Sequence, residues 1–86
     1  MSSDILVRDQ IFSTYDSLYD AEKKVADYLI SHPSESIEMS VSELASHCDA
    51  SQATIIRFCK KLGCKGFHPL KIKLAGEQRQ QEEQVI

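Results

Sequence analysis

The sequence predicts an all-α fold, a compact bundle of about five helices containing a helix-turn-helix. Three observations predict it. Apolar residues recur at helical spacings of three and four along much of the 86-residue chain. Two serines stand where the first residue outside a helix belongs, each directly before such a periodic run. Only three glycines and two prolines interrupt the chain, and an apolar fraction of 42% with a charged fraction of 27% is that of an ordinary globular domain.

The first predicted helix spans about residues 4–15, with Ile11 and Tyr15 one turn apart and Leu18 continuing the row. The second, Asp20 to Ser31, carries an amphipathic stripe of Ala21, Val25, Tyr28 and Leu29, and His32-Pro33 stops it because the residue before a proline is pushed out of the α region. A short helical turn over about 34–38 follows. Ser40-Val-Ser-Glu43 reads as a capping box opening a third main helix, whose stripe is Val41, Leu44, Ala45 and Cys48. After Asp49-Ala50, Ser51 caps a further helix with the same spacing in Ile55, Phe58, Cys59 and Leu62, ended by Gly63. Leu70-Lys-Ile72-Lys-Leu74 alternates with a period of two and fits a strand as well. The helix formers from Glu77 onward favour a last helix starting near Phe67, with Pro69 in its first turn. The expected organisation is a domain over 1–76 and, over 77–86, the start of a polar linker to a further domain outside this chain.

Residues 41–62 have what a helix-turn-helix requires: the small Ala45 where the helices cross, Asp49 in a turn position that often demands positive φ, Ser51 as a cap, and Ile55 and Phe58 locking the second helix onto the first. The net charge of −3 would argue against a polyanionic partner, but its distribution reverses the argument. Residues 1–49 carry three basic and ten acidic side chains, whereas residues 50–76 carry six basic and no acidic ones. Such a run is commonly a solvated face. Here it coincides with the capped second helix.

Stepping 100° per residue puts Ala53, Ile56, Arg57 and Lys60 opposite the apolar stripe of residues 52–62. Residues toward the start of a recognition helix reach base edges, so Gln52, Ala53 and Arg57 are the expected base readers: Gln pairs with adenine, Arg with guanine, and Ala touches a thymine methyl. Ser51, Thr54, Lys60, Lys61, Lys65, Lys71 and Lys73 are the expected phosphate contacts, which position a protein on double-stranded DNA without specifying sequence. One such helix reads few base pairs, so a homodimer is expected.

Other readings compete. The same stripes fit a plain helical hairpin in a protein-interaction or dimerisation bundle. His47, Cys48, Cys59, Cys64 and His68 could supply zinc ligands, but their spacing is poor and two of the cysteines lie on apolar stripes, so no metal or cofactor is expected. No catalytic set is supported by position, and no enzyme is predicted. Three irregularly spaced cysteines fit a reducing compartment rather than a disulfide framework. The chain has neither a membrane-spanning apolar run nor a secretory start, and a cytoplasmic location is expected.

From Leu18 to Ala75 the chain resembles the N-terminal domain of the RpiR family of bacterial transcriptional regulators. The resemblance is carried by Val25-Ala-Asp-Tyr-Leu-Ile30, Ser42-Glu-Leu-Ala45, Ser51-Gln-Ala-Thr-Ile-Ile-Arg-Phe-Cys-Lys-Lys-Leu-Gly63, Lys65-Gly-Phe67 and Leu70-Lys-Ile-Lys-Leu74. It implies an all-helical DNA-binding domain, usually followed by a sugar-isomerase-type domain that binds a phosphosugar effector, and hence control of sugar or sugar-phosphate genes. Asp20, Asp49-Ala50 and Cys64 depart from the residues common in that family.

Overall fold

The computed structural model describes residues 6–84, with side chains as far as residue 78. Six α-helices follow one another: α1 (Val7–Thr14), α2 (Asp20–Ser31), α3 (Pro33–Ile37), α4 (Val41–Cys48), α5 (Gln52–Lys61) and α6 (Phe67–Gln84). A 3-10 turn over Tyr15–Ser17 joins the first two. No strand occurs among the described residues. The ambiguous stretch 70–74 is helical because Leu70 and Leu74, four residues apart, are both buried while Ile72 between them is exposed. The start of the first predicted helix at residues 4 and 5 lies outside the described residues. Helix α6 continues without a break from position 76 to position 77, where the sequence predicts the passage from domain to linker.

One apolar core is shared by the helices. Ile11, Val25, Leu29, Leu44, Ile55, Phe58 and Leu70 are among its fully buried members. Helix α4 packs on α5, α2 packs on both, α3 lies along α6, and α1 and α5 also meet α6. In α2 the buried positions are Glu22, Val25, Ala26 and Leu29, whereas Ala21 and Tyr28 are half-buried. The stripe is therefore turned by roughly one residue from the expected one, which draws a glutamate into the core.

Polar ties join distant parts of the chain. The Gln10 amide donates to the Leu62 carbonyl at the end of α5 at 3.2 Å, and Lys71 Nζ donates to the Met39 carbonyl before α4 at 2.8 Å. The Val7 N–H donates to the Glu77 carboxylate, joining the start of α1 to the middle of α6. Cys48, Cys59 and Cys64 are free and buried. Burial pushes the Cys59 thiol pKa up to about 12, helped by neighbouring Cys64, which leaves it unreactive as a nucleophile. Among the described residues no group of three or more His, Cys, Asp or Glu is placed to hold a metal ion, and no helix is long and apolar enough to cross a membrane.

Candidate nucleic-acid interface

Helices α4 and α5 are joined by a turn of three residues whose geometry follows from their caps. At the end of α4, Asp49 has φ 55° and ψ 49°, the left-handed conformation that Asp tolerates better than most residues. The Ala50 N–H then donates to the Ala45 carbonyl at 2.9 Å and the Asp49 N–H to the Ser46 carbonyl at 3.3 Å, the paired bonds of a Schellman ending. At the start of α5, the Ser51 hydroxyl accepts from the Thr54 N–H at 3.1 Å. Helix α5 ends as α4 does. Gly63 has φ 82°, the Cys64 N–H donates to the Cys59 carbonyl at 2.9 Å and the Gly63 N–H to the Lys60 carbonyl at 3.0 Å.

With both ends fixed, the azimuth of α5 is set by what it buries. Thr54, Ile55, Phe58 and Cys59 face the core, and Ala45 on α4 is buried opposite them. Gln52, Ala53, Arg57 and Lys60 are exposed and Ile56 is half-buried. All three residues expected to read bases thus share the outer side of one helix, and the Gln52 amide also donates to Ser42 Oγ on α4 at 3.0 Å. No acidic residue lies in the first turn of α5, while Lys60 and Lys61 lie in its last. The positive end of the helix dipole is therefore not neutralised locally.

The residues expected to meet phosphate divide into two groups. Ser51, Lys60, Lys65 and Lys73 are exposed. Thr54, Lys61 and Lys71 have their polar groups engaged within the protein. Thr54 is only 5% exposed, with its hydroxyl 2.9 Å from that of Ser51. Lys61 Nζ donates to Glu22 Oε1 at 2.7 Å and sits 4.4 Å from the centroid of the Tyr19 ring. Lys71 holds the Met39 carbonyl and lies 5.1 Å from the Phe67 ring centroid. Position along the chain predicts which residues are basic. It does not predict which are already occupied.

Glu22 is the functional candidate that the sequence reading missed. It is fully buried, accepts from the Tyr19 N–H at 2.9 Å as half of a capping box for α2, and binds Lys61. Its second oxygen, Oε2, has no hydrogen-bond partner and lies 3.8 Å from Arg57 Nε. Burial raises its pKa, but the hydrogen bonds from Lys61 and Tyr19 and the charges of Lys61 and Arg57 outweigh burial and hold it below the ordinary value. A signal was present in the sequence: Glu22 begins a run with Val25, Ala26 and Leu29 at i, i+3, i+4 and i+7. An acid on an apolar stripe calls for a cation across the core.

The chain is similar to several known proteins. The rpiR-family helix-turn-helix domain matches residues 5–81. The chain is 53% identical over 55 residues to an uncharacterized HTH-type transcriptional regulator of Caldanaerobacter subterraneus subsp. tengcongensis, covering 64% of this chain and 20% of that protein. It is 46% identical over 57 residues to the uncharacterized HTH-type transcriptional regulator YbbH of Bacillus subtilis, covering 66% of this chain and 20% of that one. A protein of Paraburkholderia xenovorans named bifunctional protein glk is 42% identical over 69 residues, 80% of this chain but 11% of that protein. The crystal structure of the N-terminal domain of ybbH superimposes with a TM-score of 0.76 at 42% identity, covering 80% of this chain and 84% of that one. The chain spans about a fifth or less of the length of these full-length relatives.

Proposed function

Because this chain belongs to the rpiR family of helix-turn-helix domains, we propose that it is the sequence-specific DNA-binding module of a bacterial transcriptional regulator, with α5 reading the major groove. The observation that carries this reading is the outer side of α5. A short helix fixed at both ends displays Gln52, Ala53, Arg57 and Lys60 together, beside a stretch with no acidic side chain. Gln52, Ala53 and Arg57 contact base edges. Lys60, Lys65, Lys73 and the start of α5 at Ser51 meet phosphates. Thr54, Lys61 and Lys71 support that surface from behind.

The module acts in the cytoplasm as a homodimer on two-fold sites, since one helix of ten residues reads too few base pairs for strong discrimination. The rest of a full-length regulator would hold the effector site, and the family resemblance points to a phosphosugar bound by a sugar-isomerase-type domain. Control of sugar or sugar-phosphate genes is the matching biological reading, supported by the relatives named bifunctional protein glk.

The test is selection of duplexes from a random pool, followed by affinity measured against salt. With about four phosphate contacts per protomer, log affinity falls against log salt with a slope near −3.6 per protomer, from the loss of about 0.9 per phosphate. Absence of salt-sensitive binding to any duplex would leave a helical interaction module as the better reading.

A further inference from the structure

Arg57 and Lys61 stand one turn apart on α5, and both are turned toward one carboxylate on α2. That carboxylate belongs to Glu22, which is 0% exposed. Its two oxygens are used unequally. Oε1 is filled by Lys61 Nζ at 2.7 Å and the Tyr19 N–H at 2.9 Å. Oε2 accepts no hydrogen bond and has Arg57 Nε at 3.8 Å. A buried carboxylate oxygen without a donor is costly, so the nearest cation is drawn toward it.

Arg57 is constrained on a second side as well. Its Nη2 donates to Thr54 Oγ1 at 3.4 Å, and Thr54 is held in turn by the Ser51 cap. Nε and Nη2 form one edge of the guanidinium, and both face groups of the protein. The outer end, with its remaining N–H groups, belongs to a side chain that is still 60% exposed. At 3.8 Å the Glu22 contact is too long to consume the Nε donor. It orients the fork without occupying it, which suits bidentate recognition of a base edge.

We propose that Glu22 is a positioning residue for DNA recognition: held in place by Lys61 and the Tyr19 N–H, it aims the guanidinium of Arg57 at its base through Oε2. This rests on the reading of Arg57 as a base contact. Glu22 itself touches no DNA. Its carboxylate is buried, held by Lys61 and set against Arg57, through which its influence passes.

The test uses this chain with the duplex enriched from a random pool by the wild-type protein, and with a scrambled duplex of the same composition. The readout is the ratio of the two affinities. Arg57→Ala lowers the ratio by about tenfold or more, as loss of a bidentate contact does. Glu22→Gln, which keeps shape and removes charge, lowers it by about three- to tenfold while leaving affinity for the scrambled duplex within about twofold. In the double variant, Glu22→Gln adds no further loss beyond about twofold, because its effect runs through Arg57.

If Arg57→Ala lowers the ratio and Glu22→Gln does not, or if the Glu22→Gln loss persists undiminished without Arg57, this proposal fails and the base contact stands. If Arg57→Ala leaves the ratio unchanged, the base contact fails and the proposal falls with it. Should Glu22→Gln not fold, 15N relaxation of arginine Nε groups in the wild-type protein decides the matter. Arg57 Nε is expected to be more ordered than that of exposed Arg8, and equal disorder overturns the proposal.

Discussion

Helices α4 and α5 are built to one pattern. Each is preceded by a serine whose hydroxyl accepts from the third helical N–H, each buries an apolar stripe with the same spacing, and each ends with paired bonds around a left-handed residue. They differ at the third helical position. In α4 it is Glu43, whose carboxylate accepts from the Ser40 N–H at 2.9 Å and brings negative charge to the helix start. In α5 it is Thr54, neutral and buried against Ser51. That difference separates a helix start that carries a negative charge from one that carries none.

The shared part of the pattern can be broken most severely at Phe58, which is fully buried beneath α5. Phe58→Ala should destabilise the domain by about 3–5 kcal/mol, measured by urea or thermal unfolding. A loss below about 1 kcal/mol would mean that α5 is not anchored by this ring.

Acid probes the tie between α2 and α5. Glu22 has a folded pKa below its ordinary value. Its contribution to stability is therefore complete above the unfolded value and is lost as pH falls through the folded one. Unfolding experiments stepped downward from neutral pH should show the difference between wild type and Glu22→Gln shrinking through the acid range. The comparison separates Glu22 from Glu77, whose pKa burial pushes upward against hydrogen bonding from Val7. A difference that stays constant with pH would contradict the charged pairing.

The caps sharpen the contrast between the two helices. Ser40→Ala and Ser51→Ala should each cost about 1 kcal/mol of stability, but only Ser51→Ala should also weaken binding to the selected duplex. Equal binding by both variants would remove the start of α5 from the proposed interface. The smallest expected effect is at Asp49. Asp49→Gly relieves a left-handed non-glycine residue at the expense of chain entropy, and should raise stability by about 0.5 kcal/mol in thermal melts. A loss would show that the Asp49 side chain contributes more than its exposed 3.8 Å pairing with Lys24 suggests.

The sequence made most of the fold legible because helix caps and apolar spacing are local signals. Ser40, Glu43, Ser51 and Gly63 sit within a turn of the bonds they make, and His32-Pro33 ends α2 through the geometry of adjacent residues. The left-handed turn could be placed at Asp49 for the same reason. Long-range partners were not legible. Nothing near Lys61 announces that its ammonium is spent on Glu22, 39 positions away, or that Lys71 reaches the Met39 carbonyl. The expected α2 stripe is rotated from the observed one because Ala21 and Tyr28 are apolar enough to mimic a core face. Only the depth of the core, which comes from several helices at once, put Glu22 inside.

The turn between α4 and α5 has a further consequence for how relatives of this chain can diverge. Asp49, Ala50 and Ser51 are each committed to a backbone conformation or a cap, so the connection has no slack. A single residue inserted there would break the paired bonds that end α4 or separate them from the Ser51 cap, and so unseat α5 from α4. Changes of letter along the outer side of α5 are harmless to the seat, whereas changes of length are not. On the proposed reading of α5, new target preferences arise by exchanging side chains at fixed chain length, which makes the spacing from Ala45 to Phe58 a sterner constraint than the identity of any proposed reader between them.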